Sequence, residues 1–269
     1  MKLDNSGSEI RESGEMGQGG PSLRARHRDR GYPFYGVSIG ILLMDTSFVR
    51  IPGDIGNALT WDFPVYYRVV KGATYERVVL EGDPKLIQPF VEAAQDLERM
   101  GVKAITTSCG FLALFQKEIA ESVNIPVFTS SLIQTPLVYQ MLGHSKKVGI
   151  ITANARSLTA RHLKAVGAEG IPIVITGLEG EVEFCKMISS PSYDPLKIEG
   201  TCVRVAKRLK RNHPEVGAIV LECTNLPPYS RAIQEALDVP VFDIVTLTNM
   251  VHSSIVKKDF RFQAFKAES

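Results

Sequence analysis

The chain carries one stretch of sequence written twice, and that repetition limits what it can fold into. Residues 104–128 (AITTSCGFLALFQKEIAESVNIPVF) align without a gap with residues 218–242 (AIVLECTNLPPYSRAIQEALDVPVF), at a constant offset of 114. Nine positions are identical: Ala104/Ala218, Ile105/Ile219, Cys109/Cys223, Leu112/Leu226, Ile119/Ile233, Glu121/Glu235, Pro126/Pro240, Val127/Val241 and Phe128/Phe242. Each copy reads as an apolar run, a turn with one cysteine, a helical stretch and a short segment ending in Pro-Val-Phe. A fold that holds this unit twice presents Cys109 and Cys223 in equivalent places. Two equivalent proton carriers facing one pocket are what inversion of a carbon centre requires.

The repeat extends further back. The stretch IGIL at 39–42 resembles VGII at 148–151, at an offset of 109. Short β-branched runs predict strands over 37–44, 65–70, 102–106, 127–128, 147–152, 171–175, 218–221 and 241–242. These runs are continuously apolar, the pattern of strands buried on both faces of a parallel sheet. Between them Asp83 caps a helix with Pro84 at its first position and Gly101 at its end, and Pro89 predicts a kink inside it. Further helices are expected over 111–122, 132–142, 157–166, 195–211, 227–237 and 247–256. The alternation predicts an α/β fold of two similar lobes, each with a four-stranded parallel sheet flanked by helices. The lobes are expected to be pseudo-two-fold related, with the active site in the cleft between them. Their expected extents are 33–134 with 247–269, and 135–246.

Residues 1–32 are rich in Gly, Ser, Glu and Arg and are expected to form a disordered tail, with SLRARHRDR at 22–30 as a solvated charge run. A net charge of +2, half of it from that tail, offers no basic surface for nucleic acid or an anionic membrane. No apolar run approaches the roughly 20 residues of a membrane span, and no signal-peptide core is evident. Four cysteines without a CxxC pair fit neither a disulfide scaffold nor a zinc knuckle, and free thiols suit a reducing cytoplasm. The five histidines share no ligand spacing with one another or with the cysteines, so no metal is expected. The usual Gly-rich phosphate loops are missing as well, which removes the common nucleotide cofactors.

Ligands of open α/β sheets bind beyond the carboxyl ends of the strands, where both Cys109 and Cys223 are expected. A following helix N-terminus would lower a thiol pKa toward neutrality. Thr107, Ser108 and Gly110 flank the first thiol, and Thr224 and Asn225 follow the second, offering donors to a carboxylate or an enolate oxygen. The 20-residue connection from Asp45 to Pro64 leaves the same end of the first strand. Within it Asp45 and Thr46 suit orienting a thiol or binding a substrate amine or hydroxyl, and Arg50 suits either a carboxylate clamp or a surface ion pair. Ser130, Ser131, Thr152 and Asn154 follow strands toward the same cleft, or serve as helix caps. Cys185 and Cys202 lie at helical spacing from apolar neighbours and read as core filler. A thiol phosphatase is disfavoured, because Arg231 follows Cys223 by eight residues rather than closing a short phosphate loop.

On TTSCGF around Cys109, LECTN around Cys223 and the two-lobed repeat, residues 36–256 resemble the aspartate/glutamate/hydantoin racemase superfamily, which includes maleate isomerase and arylmalonate decarboxylase. The segment DTSFVRIPGDIGN and the PPY after LECTN resemble a less defined, racemase-like branch. The resemblance implies a cofactor-independent enzyme that holds a small carboxylate between two lobes, with Cys109 and Cys223 as its acid and base. Asp45 falls where glutamate racemases carry an acidic residue after the first strand. Relatives are often dimers, so a homodimer is the assembly the resemblance suggests. Gly110 and Phe111 stand where glutamate racemases carry Asn and a hydroxyl residue, and Asn225 stands where they carry His. These differences point away from glutamate. The expected activity is racemisation or epimerisation of a small carboxylate or hydantoin-like carbon acid. The alternatives are cis–trans isomerisation of a maleate-like diacid by one nucleophilic cysteine, or a non-catalytic carboxylate-binding or thiol-redox role.

Overall fold

The computed structural model describes residues 31–190 and 192–259. Most of the expected tail and the last ten residues lie outside that range. The chain from Tyr32 onward forms two four-stranded sheets, all of whose strand pairs are parallel. Strands β1 (Ile39–Met44), β2 (Val65–Val70), β3 (Ala104–Thr107) and β4 (Val127–Phe128) lie in the order β2-β1-β3-β4. Strands β5 (Lys147–Thr152), β6 (Ile173–Gly177), β7 (Val216–Leu221) and β8 (Val241–Phe242) repeat it as β6-β5-β7-β8. β3 and β7 are buried along their whole length, and β7 reads as an unbroken apolar run for that reason.

The repetition reaches individual atoms. Gly40 pairs with Ile105 in the first sheet, and Gly149 pairs with Ile219 in the second. A Cβ on Gly40 would lie 2.8 Å from Leu97 Cδ1, and one on Gly149 would lie 2.7 Å from Ile219 Cδ1 and 3.2 Å from Leu209 Cδ2. Glycine at the centre of each sheet therefore lets a long helix settle closely onto it. Those helices are equivalent in position: α1 (Ile87–Met100) precedes β3, and α6 (Pro195–Asn212) precedes β7. An Asp-Pro pair opens both: Asp194 accepts from the amides of Leu196 and Lys197 at the start of α6, and Asp83 accepts from the Lys85 amide in the 3₁₀ turn that leads into α1.

The remaining helices are α2 (Gln116–Glu121), α3 (Thr135–Met141), α4 (Ala160–Ala165), α5 (Val182–Ser189), α7 (Ser230–Leu237) and α8 (Ile244–Ile255). Three of the expected helices start as 3₁₀ turns, at Gly110–Phe115, Ser131–Gln134 and Pro227–Tyr229, before α2, α3 and α7. Pro89 makes no mid-helix kink. Residues 84–86 are 3₁₀ and α1 starts at Ile87, so Pro89 falls in the first turn, where its missing N–H leaves no bond unmade. Tyr75 leads into a π-helical turn at Glu76–Glu81, which buries Val78 and Val79.

One apolar core runs through both sheets and includes Cys109 and Cys223. A second, smaller one joins Ile39, Ile41, Ala104 and Phe128 of the first sheet to Ile55, Trp61 and the α8 residues Ile244 and Leu247. The connection after β1 and the last helix thus cover the same face of the first sheet. Among the described residues no helix is long and apolar enough to cross a membrane.

Candidate active site

Both cysteines sit in the turn that follows a central strand, and matched backbone bonds hold the two turns. The Ser108 amide donates to Leu42 O and the Glu222 amide to Ile151 O, each over 2.9 Å. The Leu112 amide donates to Cys109 O and the Leu226 amide to Cys223 O, each over 3.1 Å. The turns also interlock across the lobes. Thr224 Oγ1 donates to Ser108 O over 2.6 Å, while Gly110 lies so close to Glu222 that a Cβ would overlap its carbonyl oxygen and Oε1. Glycine at 110 is what allows this approach.

Cys109 and Cys223 line one cavity of about 40 Å³, together with Thr46, Phe48, Arg50, Tyr75, Ser108, Gly110, Phe111, Glu222, Thr224 and Asn225. Phe48, Tyr75 and Ile188 also border a wider groove of about 700 Å³ outside it. The connection after β1 supplies the polar wall. Arg50 Nη1 pairs with Asp54 Oδ1 at 2.8 Å, its Nη2 donates to Thr46 Oγ1 over 3.1 Å, and its guanidinium lies 4.3 Å from the centre of the Phe48 ring. Asn225 Nδ2 donates to the other Asp54 oxygen over 2.6 Å, and Cys223 Sγ donates to Asn225 Oδ1 over 3.6 Å. A continuous polar path therefore ties Thr46, Arg50, Asp54 and Asn225 to the second thiol.

The electrostatics differ from the sequence expectation of lowered thiol pKa values. Burial and then the nearby Glu222 carboxylate push both thiols well above the ordinary cysteine range. The amides of Phe111 and Leu112, with Arg50, act the other way at Cys109, while at Cys223 the Asn225 amide does so. Backbone N–H groups at the turn do favour a thiolate, as expected, yet burial outweighs them. Glu222 is itself raised to about 7 by burial, against the bonds it accepts from Thr152 and the Ala153 amide. Burial also raises the Tyr75 phenol, which bonds to Asn154.

Of the residues singled out in the sequence, Thr46, Arg50, Ser108, Cys109, Gly110, Cys223, Thr224 and Asn225 line the cavity. The others do not. Asp45 accepts a bond from the Gly72 amide and borders only the outer groove, because the strand ends before the connection turns inward. The carboxylate that joins the site is Asp54, nine residues further on. Thr107 donates to Thr129 O, Ser130 caps the turn at Leu132, and Ser131 donates to Leu221 O, so these hydroxyls join strands and turns. Thr152 donates to Glu222 Oε2 over 2.6 Å, and Asn154 accepts from the amides of Arg156 and Ser157. Cys202 is buried as expected, but Cys185 is exposed, since α5 turns Phe184 and Met187 inward instead.

Asp54, Glu222, Tyr75 and Phe48 escaped the sequence reading. Glu222 did carry a signal: an acid inside the apolar run before Cys223, where the first copy has Ser108. Among the described residues no cluster of three or more His, Cys, Asp or Glu side chains is arranged to hold a metal ion.

The protein-family model described as Asp/Glu/Hydantoin racemase matches residues 83–249. A dimethylsulfoniopropionate lyase of Durusdinium sp. clade D is 33% identical over 85% of this chain and 75% of its own length. Dimethylsulfoniopropionate lyase 3 of Emiliania huxleyi is 32% identical over 81% of this chain, which spans only 60% of that relative. Among solved structures, a mutant arylmalonate decarboxylase in its sulfate-associated form superposes with a TM-score of 0.56 at 18% identity, over 82% of this chain and 95% of its own. That last likeness is one of fold.

Proposed function

This chain belongs to the Asp/Glu/hydantoin racemase family, and from that premise we propose that it is a carbon–sulfur lyase that splits dimethylsulfoniopropionate by elimination, with Cys109 as the base. The observation that carries the reading is the pairing of two thiols with an arginine and aromatic rings in one small cavity, in a chain about a third identical to lyases of that name. The substrate has a carboxylate at one end and a sulfonium cation at the other. Arg50 and the backbone amides of the two cysteine turns suit the carboxylate, and the faces of Phe48 and Tyr75 suit the cation.

In the proposed reaction the Cys109 thiolate removes a proton from the carbon next to the carboxylate. The freed electron pair forms a carbon–carbon double bond, and the carbon–sulfur bond breaks with its pair on the departing dimethyl sulfide, leaving acrylate. Cys109 is assigned as base because two amides and Arg50 favour its thiolate, whereas Cys223 already donates its proton to Asn225. The sulfonium charge acts on the thiols as well as on the aromatic rings. A cation beside the thiols opposes the burial that holds them protonated.

The test is to supply dimethylsulfoniopropionate and measure dimethyl sulfide and acrylate, expected in equal amounts. A second reading, racemisation of a small chiral carboxylate, is favoured by the matched backbone of the two cysteine turns. It predicts no sulfide, and instead deuterium uptake and inversion at the carbon next to the carboxylate when candidate carboxylates are incubated in deuterium oxide.

A further inference from the structure

Glu222 is a fully buried carboxyl in the cavity wall, and its Oε1 meets no hydrogen-bond partner among the described residues. Nothing in a racemase mechanism calls for it, and the other lobe shows what the position does without it. There Ser108 stands at the equivalent place, and its hydroxyl accepts the Met44 amide over 2.9 Å. Glu222 accepts the equivalent amide, that of Ala153, and binds the Thr152 hydroxyl through Oε2. Its second oxygen then reaches past its own lobe to the Gly110 backbone, beside Cys109. A hydroxyl would have been enough to hold the turn. The carboxyl adds a group that can carry a proton into the first lobe's cysteine turn.

We propose that Glu222 is the proton outlet of the site, taking from Cys109 the proton that the thiolate has removed from the substrate and passing it on to water. This rests on the lyase reading, which also explains the need. Racemisation returns the proton to carbon, so its books balance inside the pocket, but elimination leaves one proton on the enzyme in every turnover. A thiol held far above neutrality by burial does not lose that proton to water readily. With the sulfonium of the next substrate beside the thiols to favour the thiolate, the proton moves from the Cys109 thiol to the Glu222 carboxylate, and the carboxylic acid then releases it to solvent. No oxidant or further reactant is required. The charged and titratable groups around Glu222 are Cys109 and Cys223, with Arg50 and Tyr75 on the cavity wall.

The experiment compares kcat for dimethyl sulfide release against pH in wild type, Glu222→Gln and Glu222→Asp, together with infrared titration of the substrate-free carboxyl. Wild type is expected to rise with a midpoint of about 7 and to lose a protonated-carboxyl band with the same midpoint. Glu222→Gln, which keeps the shape of the side chain, should lose that band. It should also lower kcat at least about 100-fold and move its midpoint upward, with KM nearly unchanged, while Glu222→Asp restores part of the rate. Sulfide release by Glu222→Gln at the wild-type rate and midpoint overturns the proposal and leaves the lyase reading standing. A wild-type carboxyl band that does not titrate near neutrality overturns it too. Absence of sulfide from wild type overturns both.

Discussion

The cavity joins two thiols to a fully buried carboxyl, that of Glu222. Its burial has a consequence for folding. The carboxyl is raised from 4.5 to about 7, so across that window the native state holds a proton that the unfolded chain has lost. The stabilising contribution is complete below the lower value and falls as pH rises to the upper one, by on the order of 3 kcal/mol. Urea unfolding at about pH 5 and about pH 8 should therefore show Glu222→Gln gaining stability relative to wild type at the higher pH. An equal difference at both values would mean that the carboxyl does not titrate in that range.

At the scale of elements, the strands followed directly from continuous apolar runs, and all seven of the expected helices end within one residue of where the sequence places them. The connection after β1 is where local pattern ran out. Its order comes from Arg50, Asp54 and Asn225, which meet only after the chain has folded, and no periodicity announces them. Asp54 holds this wall together. It pairs with Arg50, accepts the Gly56 amide and receives Asn225, with both charged side chains largely buried. Removing it leaves Arg50 without its counter-charge, so Asp54→Ala should cost about 3 kcal/mol in unfolding free energy. The same variant should raise KM by loosening Arg50 and Asn225. A change confined to stability, with KM intact, would separate the connection from substrate binding.

Over the whole molecule, duplication explains the equal strand orders, the paired glycines under α1 and α6, and the matched turns that bring two thiols to one cavity. The repeat made the architecture readable, while the chemistry turns on where the copies differ: Glu222 against Ser108, Thr224 against Gly110, and Asn225 against Phe111. Cys109 is proposed as the base, in a cavity that Cys223 lines with it. Sulfide release by Cys109→Ala, Cys223→Ala and the double variant tests it most directly. kcat/KM is expected to fall about 1000-fold for Cys109→Ala and about 100-fold for Cys223→Ala, with the double variant no worse than Cys109→Ala alone. Near-wild-type release by Cys109→Ala, or losses that multiply in the double variant as they do for independent sites, would contradict it.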